Sequence, residues 1–124
     1  MPKDFSRSSR VAEVIQREVA YILQQEMNDP RASAVTITHA TVTRDMSSAR
    51  IYFIMQGDED DVKATEKVLN KASGFIRHEL STRVELRHIP KLIFTYDQSI
   101  ERGIRIGKLI EDVMKDEPDN SWPG

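Results

Sequence analysis

Two basic residues, Lys71 and Arg77, bracket a short interruption, Ala72-Ser73-Gly74, in an otherwise helical stripe. A cation, a hydroxyl and a backbone without a β-carbon are what a phosphate group can use, because donors satisfy its oxygens and glycine lets the chain come close. The stripe is Val62, Thr65, Leu69, Ala72, Ile76 and Leu80, whose three-and-four spacing keeps one helix face on a core. Glycine inside a helix costs about 1 kcal/mol relative to alanine. Gly74 therefore either bends the helix and admits a partner's backbone, or is a tolerated residue or a tight packing contact, and both readings stand at this point.

Other chemistry is scarce. His78-Glu79 has the start of a zinc-protease helix motif, but the fourth residue after His78 is Thr82, so the second ligand is missing. His39, His78 and His88 share no metal-ligand spacing and read as surface or half-buried polar residues. Asp58-Glu59-Asp60-Asp61 matches no calcium loop and suits a helix start, where the dipole favours negative charge. There is no G-x-x-x-x-G-K-[ST] loop, no G-x-S-x-G elbow and no cysteine, so thiolate nucleophiles, thiolate metal sites and disulfides are excluded. A binding protein is the reading left, with no enzyme activity, cofactor or metal expected. A protein-interaction adaptor and a metal-dependent hydrolase built on Asp58 to Asp61 are its rivals from other classes.

The formal net charge of −2 conceals segregation. Residues 1–17 carry +2 and residues 63–91 carry +4, against −4 over 58–62 and −3 over 92–124. If both positive blocks meet on one side of a small domain, that side suits a polyanion. The chain's 124 residues allow one core and one ordinary domain, and no apolar run approaches a membrane span. Met1-Pro2-Lys3-Asp4 lacks the apolar stretch of a secretory signal, so an intracellular, cytoplasmic protein is expected.

Periodicity places the elements. Val11, Val14, Ile15, Val19, Ile22, Leu23 and Met27 form an apolar stripe opposite Arg10, Arg17 and Gln24, which predicts an amphipathic helix over 9–27, capped by Ser8 or Ser9 and ended by Asn28-Asp29-Pro30. The β-branched run Val35–Thr43 predicts a strand whose apolar set changes parity between His39 and Ala40, as at a bulge. Ala49, Ile51, Phe53 and Met55 alternate as a second strand after a turn at Arg44–Ser48. The interrupted helix pair follows, then a third strand over Lys91–Asp97. A last helix, Ile100 to about Lys115, is predicted with Asp97 or Ser99 as its cap, and the tail 116–124 is expected to be disordered.

This order, α-β-β-α-kink-α-β, resembles the prokaryotic, type II K-homology (KH) RNA-binding domain, an α+β fold in which two helices meet at a glycine-rich loop that clamps a nucleic-acid backbone. The KH loop reads G-x-x-G, whereas this chain has only Ala72-Ser73-Gly74. With that A-x-G kink go Arg7-x-x-Arg10-Val11, Val35-Thr36-Ile37 and the long run Arg87-x-x-Pro90-x-Leu92-x-Phe94-x-x-Asp97-x-Ser99-Ile100-Glu101-x-Gly103. On these residues the chain resembles the ribosome-binding factor A family of bacterial small-subunit assembly factors, over about residues 5–110. The resemblance implies a single KH-like domain over 1–115 with an additional C-terminal helix. It also implies a non-enzymatic factor that binds free or maturing small ribosomal subunits and their rRNA near the decoding region, assists late rRNA folding and end-processing, and matters most in the cold. Ribosomal proteins and other assembly factors are further partners on this reading, with no membrane partner and a monomeric state.

The residues that could carry RNA binding are Lys71, Ala72, Ser73, Gly74 and Arg77 at the kink, Arg7, Arg10 and Arg17 if the first helix lies alongside, and Arg83, Arg87 and Lys91. Only Phe75 among the few aromatics lies beside the kink, so shape and backbone recognition is favoured over base stacking.

Overall fold

The apolar stripes meet on one face of a small sheet. The computed structural model describes residues 7–99, so residues 1–6, the helix expected from Ile100 to Lys115 and the tail 116–124 lie outside the described residues. Helix α1, Arg7–Gln25, buries Val11, Ala12, Ile15, Val19, Ile22 and Leu23 and exposes Arg10, Arg17 and Gln24, as its periodicity requires. Ser8 and Ser9 lie within this helix, so neither is the cap expected of them. The helix ends two residues before Met27, and Pro30 opens a second, unforeseen helix, α2, Pro30–Ser33. Proline's fixed φ suits a first helical position, and the Asp29 side chain accepts from the Arg31 amide at 2.9 Å.

Strands β1, Thr36–Val42, and β2, Ser48–Ile54, pair antiparallel, and β3, Lys91–Tyr96, lies parallel to β2 in the order β1-β2-β3. The parity change in β1 is a bulge, placed slightly earlier than the sequence suggested. Partners run Ile37–Phe53 then His39–Tyr52, which leaves Thr38 as the extra residue. The bulge turns the Thr38 hydroxyl to Asp97, to which it donates at 2.5 Å. Ala40, Ala49, Ile51, Phe53, Leu92 and Phe94 are buried with the α1 stripe.

The connection from β2 to β3 is the helix pair α3, Glu59–Lys71, and α4, Ser73–Arg83, so the KH-like element order is observed with α2 added. The four acids behave as helix-start residues: Asp58 is the N-cap and exchanges hydrogen bonds with Asp61 in a capping box. Just before them Gly57 has φ +140°, and a β-carbon there would lie 2.8 Å from that of Asp61, so this position needs glycine.

Helix α3 also seals the outer edge of β3. The Asn70 amide donates to the Phe94 carbonyl at 3.0 Å and accepts from the Phe94 amide at 2.8 Å. One turn earlier Glu66 accepts from the Tyr96 amide at 3.0 Å. These side chains pair backbone groups that an edge strand would otherwise leave open. Asn70→Ala should cost about 1–2 kcal/mol, two ordinary hydrogen bonds, in denaturant unfolding, while Lys67→Ala on the exposed side should stay within about 0.5 kcal/mol.

At the end of β3, Asp97 accepts from the Ser99 amide at 3.0 Å and hydroxyl at 2.5 Å, the geometry of the expected cap. The Ser99 and Thr38 hydroxyls hold the Asp97 carboxyl below the usual carboxylate range. In the β1–β2 turn the Ser47 hydroxyl, then Thr43 and the Ser47 amide, do the same for Asp45. A carboxyl that binds its proton less readily folded than unfolded adds stability above its unfolded pKa of about 4, and that stability is lost as pH falls through the lower folded value. Asp97→Asn should therefore be less stable than the wild type at neutral pH, and the gap should narrow as pH drops from about 6 to about 3, read by denaturant unfolding at each pH.

Candidate nucleic-acid interface

The outer side of α1 and the end of α4 form one junction. A groove of about 350 Å³ runs between α1 and the chain leaving α4, lined by Arg10, Arg17 and Arg83 with Glu18 and Glu85 among its valines and leucine. Arg10 and Arg17 are exposed, and Arg17 has only a loose 3.8 Å pair to its neighbour Glu18. Arg83 is committed. Its Nη2 meets Glu26 at 3.1 Å, its Nη1 lies 3.9 Å from Glu18, and its guanidinium covers the Tyr21 ring at 4.5 Å from the centroid. It clasps α4 to α1, a job that the sequence did not show.

A second cleft of about 400 Å³ lies beside the kink, lined by Gly74, Arg77, His78, Ser81, Arg87, His88 and Ile89. Arg77 builds it: Nη2 donates to the Ile89 carbonyl at 2.7 Å and Nε to the Pro90 carbonyl at 3.1 Å, which lashes the chain before β3 to α4. Arg87 is exposed. The helix breaks at Ala72, whose φ of −87° and ψ of 3° leave the helical region, and Ser73 starts α4. Gly74 follows the break and is exposed, has no positive φ, and a β-carbon built on it meets nothing within 4 Å. Neither the bend nor a packing contact accounts for it.

The remaining candidates are dispersed. Arg7, Lys71 and Lys91 are exposed and line neither cleft, and Ala72 and Ser73 are half-buried. Phe75 keeps 44% of its surface exposed next to the kink. Among the described residues no group of side chains could hold a metal ion, and no helix is long and apolar enough to cross a membrane. All three histidines are exposed. His78 and His88 read as separate residues in the sequence, because the nine residues between them hide that the chain folds back; the structure sets both on one cleft.

The sequence model of ribosome-binding factor A matches residues 7–110. The chain belongs to the ribosome-binding factor A family. Ribosome-binding factor A from Nitrosococcus oceani is 48% identical over 119 residues, covering 96% of this chain and 94% of the relative. The crystal structure of ribosome-binding factor A from Thermus thermophilus shares the fold at a TM-score of 0.64 and 22% identity, over 72% of this chain and 94% of that one. Coordinates of the Thermus thermophilus factor fitted into a cryo-EM map of its complex with the 30S subunit align at a TM-score of 0.56 and 24% identity, over 70% of this chain and 91% of that one. The A-x-G kink and the whole run from Arg87 to Gly103 fall inside the span matched to ribosome-binding factor A.

The geometry at Gly74 yields a sharp test. Because the backbone there suits any residue and the space is open, Gly74→Ala should leave the melting temperature unchanged or raise stability by up to about 1 kcal/mol. A loss of stability would show that the glycine serves the fold.

Proposed function

We propose that this protein is a non-enzymatic, cytoplasmic assembly factor that binds free and maturing small ribosomal subunits through the backbone of their (16S) rRNA, and promotes late folding and end-processing of that rRNA, most visibly in the cold. Membership of the ribosome-binding factor A family supports the partner. The observation that carries the site is Gly74: an exposed, unstrained glycine with open space over it, beside a cleft with two arginines, leaves the backbone approachable from outside. Arg10 and Arg17 extend the surface along α1 and Arg87 lines the kink cleft, while Arg7, Lys71, Ser73 and Lys91 are further donors that line neither cleft. Arg77 and Arg83 contribute by setting the shape, through the carbonyls and carboxylates they hold. The mode of recognition is charge and shape, since phosphate contacts position a protein on folded RNA without reading its sequence.

Co-sedimentation with purified small subunits tests this reading. Binding should weaken progressively as salt rises, because each phosphate contact releases counterions. Arg10→Glu with Arg17→Glu should lower affinity roughly tenfold per contact at 0.1 M salt, with the melting temperature unchanged because both side chains are exposed. A reversal at Lys63, near the acidic start of α3, should do little. Salt-independent recovery, or full binding by the double variant, would overturn the assignment.

A further inference from the structure

The cleft beside the kink contains two histidines and an arginine with no side-chain partner of their own. Among the described residues, His78, Arg87 and His88 make no side-chain hydrogen bond or ion pair, and all three are exposed. Arg77 fixes their arrangement, because its bonds to the Ile89 and Pro90 carbonyls hold the segment carrying Arg87 and His88 against the helix carrying His78. Ser81 is occupied, donating its hydroxyl to the His78 carbonyl at 2.6 Å, so it has no proton left for an anion.

The lining contains no carboxylate; its charged groups are Arg77 and Arg87. On the segments packed against α4, the nearby acids act elsewhere: Glu18 of α1 and Glu26 just after it engage Arg83, and Glu85 lines the α1 groove. Glu79 of α4, Lys71 of α3 and Lys91 of β3 do not line the cleft.

A neutral imidazole has one N–H and one lone pair, and the lone pair repels an anion; an imidazolium has two donors and a charge. An ordinary histidine changes between these forms near pH 6.5, and a phosphate close by favours the charged form. We propose that this cleft holds a backbone phosphate of the ribosomal RNA between Arg87 and the imidazolium forms of His78 and His88, so that RNA binding takes up protons; this rests on the RNA-binding reading above. Affinity therefore rises as the pH falls through the histidine range, by linkage.

Binding of the dye-labelled full chain to purified small subunits, measured at about pH 8 and about pH 6 over a salt series, tests the proposal. The wild type should bind about fivefold or more tightly at the lower pH, as charge-assisted bonds replace neutral ones. Its slope of log affinity against log salt should steepen by about one to two. His78→Gln with His88→Gln should lose the extra gain in affinity between about pH 8 and about pH 6, whatever its affinity at the higher pH. Subtracting the double variant removes titration of the subunit itself. The chain has three histidines, so His39→Gln, on the ring stacked with Tyr52, completes the assignment and should keep the full response. A double variant that retains the wild-type pH response, or a wild type whose affinity does not change with pH, overturns the proposal while leaving the RNA-binding reading intact. A wild type that fails to bind subunits at either pH and at any salt overturns that reading, and this proposal with it.

Discussion

β2 and β3 run side by side in the same direction, and parallel neighbours cannot be joined by a turn. The chain must travel back the length of a strand, about 20 Å for six or seven residues. Residues 59–83 as one straight helix would span about 37 Å at 1.5 Å per residue and overshoot the start of β3. The break at Ala72 solves this: α3, with 13 residues, covers about the strand length, and α4 leaves in a new direction towards α1 and the foot of β3. The kink is thus a requirement of the sheet topology before it is a feature of any binding site. That separates two roles which the sequence fused, because the bend is made at Ala72 and Gly74 stands beyond it with an ordinary backbone.

Bending the crossover creates polar obligations, and long side chains meet them across elements. Asn70 and Glu66 cap the outer edge of β3 from α3, Arg77 holds the carbonyls of Ile89 and Pro90 from α4, and Arg83 ties the end of α4 to Glu18 and Tyr21 of α1 and to Glu26 just beyond it. A buried or half-buried backbone group without a partner costs about as much as a lost hydrogen bond, so these contacts set geometry as well as stability. The clefts flanking α4 owe their walls to these arginines. Substitutions at Arg77 and Arg83 therefore act on the fold directly, whereas Arg10, Arg17 and Arg87 tie no elements together among the described residues.

What could be read from the sequence was what repeats locally. The α1 stripe, the alternation of Ala49, Ile51 and Phe53, the acid cap at Asp58 and the parity change in β1 each rest on residues a few positions apart, and each is present in the fold. The α2 turn was missed because Asn28-Asp29-Pro30 was read as the end of one helix, when the same Asp-Pro pair is also a good start for another. The commitments of Arg77, Arg83 and Asn70 were invisible for a different reason: their partners lie 12 or more positions away and no local pattern marks them. The pairing of His78 with His88 on one cleft, across ten positions, was hidden likewise because no local repeat marks it.

Segregation of charge decides whether a chain of net charge −2 can face a polyanion. The four acids stand at the N-terminal end of α3 and Lys71 at its C-terminal end, so the 13-residue helix holds them about 20 Å apart. Screening in about 0.15 M salt has a length of about 8 Å, so across that gap the repulsion from the acids is largely lost before it reaches the kink. Packing α1 against α4 meanwhile brings Arg10 and Arg17 of the first positive block into one groove with Arg83 of the second. The field at the kink is therefore set by the cations near it and not by the total, while the acidic net charge limits long-range attraction to polyanions in general.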